Sequence, residues 1–311
     1  RGCGENTLTA VDNGRQTKRR APLGVRPPVP YMTDGRSGSF KERVEMPLKR
    51  EMHPEFRKLD ATVSALPLGL ARGLDAYLKD FPFGCSEQIT SGAFCRLMLT
   101  DEADFGLSRA EINKQLEHTF SVLARRQNDQ GGFGYWAPET GDSISFVPAY
   151  VMDFLSESKA AGFVPPPDMF VSGLRNLQKM VTSDPKNLSE ARTVAYGIYV
   201  LTREGVITTN YILNLRDYIE KNEKDQWQKD IAGVYLAGAL HLLQKDAEAE
   251  RLIDSYKMDN RDTLEPADFC QQPGMNSQYI AVITREFQAR IRQITAEQVQ
   301  HIPNPVGYRD Y

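Results

Sequence analysis

The spacing of apolar positions changes character once along the chain. Up to about residue 66, apolar residues alternate in short runs such as Asn6-Thr7-Leu8-Thr9-Ala10-Val11 and Lys58-Leu59-Asp60-Ala61-Thr62-Val63. A period of two predicts strands. Turn signals separate the runs: Asp12-Asn13-Gly14, Asp34-Gly35 and the proline-rich Arg26-Pro27-Pro28-Val29-Pro30. So few strands cannot close a sandwich, so residues 1–66 read as part of a β unit whose remainder lies elsewhere. From Pro67 to residue 311 the period becomes helical. Helices are predicted to begin near Leu68, Glu87, Ser108, Val147, Asp168, Ser189, Asn210, Lys229, Asp246 and Asn276. Ser108 with Glu111 forms a capping box, Ser86 precedes Glu87-Gln88, and Gly162 and Gly205 act as stops.

Short connections between many helices imply antiparallel hairpins packed side by side. Ala191 to Leu201 is apolar on nearly every face, whereas Ala247 to Tyr256 carries charge on one face. The first kind of helix belongs inside and the second outside. The contrast predicts a double ring: a mainly α chain, an α/α toroid of helical hairpins preceded by a short β segment.

Composition narrows the function. The 311 residues are 41% hydrophobic and 25% charged, with a net charge of −3. That is enough for one sizeable core plus a small accessory unit. The basic run Lys18-Arg19-Arg20 is short and reads as a solvated loop rather than a nucleic-acid patch. No apolar stretch reaches the roughly 18 residues of a membrane span. The chain starts at Arg1 and reads as a fragment, so its compartment is not legible from the N-terminus. The four cysteines, Cys3, Cys85, Cys95 and Cys270, are too few for a disulfide scaffold, and none has zinc-ligand spacing. Cys95 is expected to be a buried inert thiol. A Cys3–Cys270 bridge is compatible with an oxidising compartment but not implied by sequence.

The candidate chemistry lies in Phe81-Pro82-Phe83-Gly84-Cys85-Ser86-Glu87-Gln88, between two helices and just where the second begins. A Cys and a Gln three residues apart at a helix start face the same side. The thiol can attack the Gln side-chain amide, expel ammonia and close an internal thioester. The positive end of the helix favours the thiolate. A thioester hydrolyses in water, so it needs a dry cover, for which Phe81 and Phe83 are placed. Gly84 is expected to permit a tight turn into the helix, and Glu87 to cap it or to orient the Gln amide. The bland alternative is a buried Cys with a coincidental Gln. Composition alone gives Cys-x-Glu-Gln on the order of once in a hundred chains of this size, and the aromatic-Pro-aromatic-Gly prefix makes coincidence rarer still.

That segment resembles the thioester signature of α2-macroglobulins and complement components. Gln127-Asn128-Asp129-Gln130-Gly131-Gly132-Phe133-Gly134-Tyr135-Trp136, followed by Val147 to Leu155, is similar to the loop-and-helix repeat of α/α-toroid domains. Ser64-Ala65-Leu66-Pro67 and Val25-Arg26-Pro27-Pro28 are similar to the strands leading into this domain in bacterial members. The resemblance implies that residues 1–66 are the first part of a CUB-like domain. It makes 67–311 a thioester toroid lacking its last hairpin. It implies a single-turnover trap rather than an enzyme, with no cofactor beyond the Cys85–Gln88 crosslink. Cleavage of a bait region elsewhere would open the cover, and a lysine of the protease would attack the Gln88 acyl carbon and release Cys85. Target proteases and the parent's other domains are the implied partners. The implied location is the bacterial periplasm or cell envelope, with any lipid anchor outside this segment.

Complement proteins that acylate hydroxyls use a downstream histidine. The corresponding region, Thr182 to Ser189, has none, and His118 and His241 fall within helices. Direct attack by amines is therefore expected. Tyr135 and Trp136 either pack at a hairpin mouth or cover the thioester. Three rivals remain. A prenyltransferase or cyclase needs a metal or aspartate cluster, for which only Asp101-Glu102-Ala103-Asp104 offers itself. A papain- or transglutaminase-like hydrolase needs a histidine base. A structural relative would never form the thioester.

Overall fold

The computed structural model describes residues 2–25, 83–100, 108–139, 144–222, 224–258 and 272–294, with single positions and short runs between 40 and 81 and at 298–299. The chain divides into two units, Arg1–Glu42 and Arg43–Tyr311. The boundary expected at 66/67 lies outside the described residues, as do Cys270, Asp34-Gly35, Pro27 to Pro30 and Asp101 to Asp104.

In the first unit, β1 (Gly2–Asp12) and β2 (Arg15–Val25) form an antiparallel hairpin. Asn13 and Gly14 both take positive φ, 42° and 78°. This is the two-residue turn whose twist matches the flanking strands, and Asn-Gly is the pair that tolerates it best. Asp12 then pairs with Arg15, and every later partner follows. The strand expected at Lys58 to Val63 does not appear at its described residues. Leu59, Ala61 and Val63 carry no strand pairing and are exposed. Without a partner edge, local β propensity leaves backbone hydrogen bonds unmade.

The second unit is helical: α1 (Ser86–Met98), α2 (Arg109–Ala124), α3 (Phe146–Ala160), α4 (Pro167–Met180), α5 (Leu188–Arg203), α6 (Thr209–Asn222), α7 (Ile231–Leu242), α8 (Asp246–Ser255) and α9 (Gln272–Glu286). The Ser108 start signal works as the sequence predicts. Ser108 and Glu111 make the reciprocal capping box on α2. Asn187 caps α5 through Glu190 N at 2.9 Å, Asp230 caps α7 through Ala232 N at 3.0 Å, and Pro167 occupies the first turn of α4. Near the expected helix at Lys229 the chain instead makes a 3₁₀ segment, Lys224–Lys229, and restarts at Ile231.

The odd-numbered helices pack on one another in sequence: α1 on α3, α3 on α5, α5 on α7 and α7 on α9. The even-numbered helices lie against them, α2 on α1, α4 on α3 and α5, α6 on α5 and α8 on α7. This is the inner and outer layering of an α/α toroid. Burial follows the layers. On α3, α5 and α7 long stretches are buried, including Val151 to Phe154, Val194 to Leu201 and Ile231 to Leu240. On α4, α6 and α8 only one stripe is buried. Where the inner layer must carry charge, it pairs it. Asp153 is 2% exposed and accepts from Tyr196 Oη at 2.6 Å and Arg203 Nη1 at 2.6 Å. Arg203 also meets Glu157, and Arg285 reaches Glu157 at 3.0 Å and Asp153 at 3.9 Å. Burial disfavours the Arg285 charge, but Asp153 and Glu157 outweigh it and hold its pKa above the ordinary arginine value.

Among the described residues no helix is long and apolar enough to cross a membrane, and no group of His, Cys, Asp and Glu could hold a metal ion.

Candidate functional site

The site forms where the chain enters α1. Cys85, not Ser86, is the residue that caps the helix, with extended backbone (φ −67°, ψ 168°). Its side chain and that of Gln88 make the two halves of a capping box. Gln88 Oε1 accepts from Cys85 N–H at 3.0 Å, while the sulfur faces the Gln88 backbone N–H. The thiol and the Gln acyl group are therefore folded onto each other within one turn. Cys85 is 6% exposed, and Gln88 is half-buried. A backbone N–H aimed at the acyl oxygen polarises that carbonyl and would stabilise the negative charge that builds on it when a nucleophile adds.

The helix start is held by a loop that the sequence shows only as a glycine-rich stretch. Gln127 and Phe133 make an isolated antiparallel bridge, and Asn128 closes the turn by accepting from Gly132 N–H at 2.8 Å and Gln130 N–H at 2.9 Å. Gly131 has φ +85°, and a Cβ there would lie 2.1 Å from the Ser172 carbonyl oxygen on α4. Gln127 Nε2 donates to Met169 O at 2.9 Å, which fixes the loop to the outer layer. Phe133 is buried. The far side of this loop presents carbonyl oxygens to α1. Ser86 N–H donates to Tyr135 O at 2.8 Å, and Ser86 Oγ donates to Gly134 O at 2.6 Å.

Ser86 is thus not a cap. Its hydroxyl is committed to a partner 48 residues away, which leaves the capping position to Cys85. Arg126 spans the same junction. Its Nη2 donates to Gly84 O at 2.8 Å, and its Nη1 to Tyr135 O at 3.2 Å and Ser86 Oγ at 3.3 Å.

Glu87 accepts from Ser91 Oγ at 2.9 Å, and Ser91 Oγ lies 3.0 Å from Tyr150 Oη. Burial pushes the Tyr150 hydroxyl well up, so it stays protonated. Tyr135 is half-buried. Burial raises its pKa, and the charges of Cys85, Glu87 and Glu139 raise it further. Phe81 packs edge-on against Phe83 at 5.6 Å and lies tilted against Tyr77 at 5.4 Å.

Phe83 and Trp136, expected as shielding, are 62% and 61% exposed. Trp136 lies under the Arg126 guanidinium at 5.8 Å. Gly84 has no positive φ, and an added Cβ would meet only Ile89 Cγ2, at 3.7 Å. The turn into α1 therefore does not itself demand glycine. Cys95, expected to be buried, is half-buried, and burial raises its thiol above the ordinary value. His118 is exposed, and His241 Nδ1 lies 2.7 Å from Asp246 Oδ1. Among the described residues no histidine is hydrogen-bonded to Cys85 or Gln88.

Four residues of this neighbourhood were not singled out from sequence: Ser86 as a tie, Ser91, Arg126 and Tyr150. Arg126 had one available signal, its position directly before the Gln127 to Trp136 segment.

Comparison with known proteins gives this geometry a family. No family model matches the chain. An α2-macroglobulin of Rickettsia conorii is 33% identical over 283 residues, covering 89% of this chain and 15% of that protein. The chain thus spans a small part of such a relative's length. Among solved structures, native Escherichia coli α2-macroglobulin from domain MG7 to the C-terminus aligns with a TM-score of 0.61 at 19% identity, over 75% of this chain and 38% of that one. Salmonella α2-macroglobulin reacted with methylamine aligns at 0.59 and 19% identity, over 76% and 16% respectively. These likenesses in structure carry the fold, and the sequence likeness carries the lineage: the chain belongs to the bacterial α2-macroglobulin family.

Proposed function

We propose that Cys85 and Gln88 close an internal thioester and that the chain is the reactive segment of a covalent protease trap. The observation that carries this is the folded-back first turn of α1, with a buried Cys85 sulfur beside a Gln88 acyl group whose oxygen is held at 3.0 Å by Cys85 N–H. Closure forms the bond between Sγ and the Gln88 acyl carbon, and the side-chain nitrogen leaves as ammonia. Opening reverses the roles. An amine nitrogen adds to the acyl carbon, the same N–H steadies the oxyanion, Cys85 leaves as thiolate, and an amide remains. The amine gives up its proton on bonding, and the thiolate can take it. Each molecule reacts once, so the segment acts as a trap and not as a turnover enzyme.

Because none of the histidines among the described residues is bonded at the site, an amine is expected to attack the thioester directly, with hydroxyls reacting poorly. The partners are then proteases that offer a surface lysine. Phe83 and Trp136, exposed on this chain, would be covered in the intact protein by one of its other domains until cleavage. A periplasmic or envelope setting suits this role. The methylamine reaction of the Salmonella relative supports the reading, since methylamine is the simplest such nucleophile.

Peptide mapping after methylamine treatment tests it. The peptide from Phe81 to Arg96 should carry Gln88 as its N-methyl amide and Cys85 as a free thiol, and glycerol at equal concentration should leave it unlabelled. An unlabelled peptide after methylamine would sink the thioester.

A further inference from the structure

We propose that Arg126 is a positioning residue for the thioester: it fixes the backbone on both sides of Cys85 and so sets how long the bond survives in water. The inference rests on the thioester reading above. Among the described residues, Arg126 is the one side chain that binds the residue before Cys85 and the residue after it, through Gly84 O at 2.8 Å and Ser86 Oγ at 3.3 Å. With Tyr135 O at 3.2 Å it adds the loop that holds Ser86. A planar fork reaches these acceptors from two separate nitrogens, whereas a lysine offers all its donors from one. Among the described ion pairs none contains Arg126, so its donors are spent on these carbonyl and hydroxyl oxygens. Of these, the charge-assisted bond to Gly84 O, at 2.8 Å, is short.

The consequence follows from what holds the acyl oxygen. Cys85 N–H must stay on Gln88 Oε1, and that N–H is set by the peptide between Gly84 and Cys85. Arg126 anchors the carbonyl of that same peptide. If it is released, the peptide can rotate, the capping box loosens and water gains a line to the acyl carbon. Ser86 supports the opposite end through Gly134 O at 2.6 Å, but it does not touch the peptide before Cys85. Small misplacements of reacting groups change rates steeply.

The test uses the intact protein and its Arg126→Gln and Arg126→Lys variants. The closed fraction is followed by mass in amine-free buffer, well below the unfolding midpoint, alongside the methylamine rate and the thermal midpoint. Arg126→Gln should hydrolyse at least about tenfold faster than wild type, with its midpoint nearly unchanged. Arg126→Lys, which keeps the charge but on a single nitrogen, should lie between the two. A folded Arg126→Gln protein purified already open supports the inference equally. Hydrolysis at the wild-type rate in Arg126→Gln overturns it while leaving the thioester reading intact. So does faster hydrolysis that tracks a matching fall in midpoint and is not restored by lysine, since that marks a purely structural role. A wild-type protein that is never closed overturns the thioester reading itself, and this inference with it.

Discussion

Asp153→Asn should destabilise the helical unit far more than an isosteric change of one side chain usually does. Asp153 is 2% exposed and lies between Arg203 and Arg285, with Glu157 as the second carboxylate. In the native cluster two guanidinium groups meet two carboxylates. Asparagine keeps the shape and can still accept from Tyr196 Oη, but it turns an N–H₂ toward donors and leaves two cations against Glu157 alone. Removing one partner of a buried pair costs about 3–5 kcal/mol, and Glu157 keeps the loss near about 3. For a unit of this size that corresponds to a fall in unfolding midpoint of roughly 6–12 °C. Circular dichroism melts of wild type, Asp153→Asn, Arg203→Met and the double variant measure it. The double variant should be less destabilised than the sum of the singles by at least about 1 kcal/mol, because it removes both members of one contact. A fall under roughly 2 °C for Asp153→Asn, or strict additivity, would show that the cluster is solvated and that the inner layer does not depend on it.

Gly131→Ala should cost about 3 kcal/mol, since the methyl must adopt left-handed backbone and displace the Ser172 carbonyl; denaturant midpoints measure this, and a loss under about 1 kcal/mol would contradict it. Tyr150, Tyr196 and Tyr199 all have hydroxyls raised by burial above the ordinary value near 10. They stay protonated in the fold while the unfolded chain ionises. Their contribution is therefore complete below about pH 10 and falls as pH rises beyond it, by up to about 1.4 kcal/mol per pH unit for each ring. Denaturation measured from pH 8 to 11 should show a plateau and then a decline, and a flat profile would refute the assignment.

The double ring was legible because each layer has its own signature. α3, α5 and α7 carry long, mostly apolar runs that are buried on nearly every face, α8 is apolar on one stripe, and that difference is written locally in the residues. Glycines at Gly162 and Gly205 and the Ser108 box mark ends by local chemistry too. The Cys85–Gln88 pair was legible for the same reason, since three residues of helix bring the two side chains together. What could not be read is what arrives from far along the chain. Ser is a better cap than Cys by preference, yet Ser86 gives its hydroxyl to Gly134. Ser91, one turn on from Glu87, meets the Tyr150 hydroxyl because α3 packs on α1. Arg126 acts through carbonyl oxygens, which leave no mark in a sequence.

The covalent state of one segment decides whether this chain can act as a trap. The most direct measurement is the intact mass of the freshly purified full-length protein, taken with a thiol titration before and after methylamine. The expected result is a mass lower by one ammonia and no titratable Cys85. Methylamine should then add its own mass and release one thiol per chain. A full-mass protein whose Cys85 titrates at once, with Gln88 still an amide, would contradict the account.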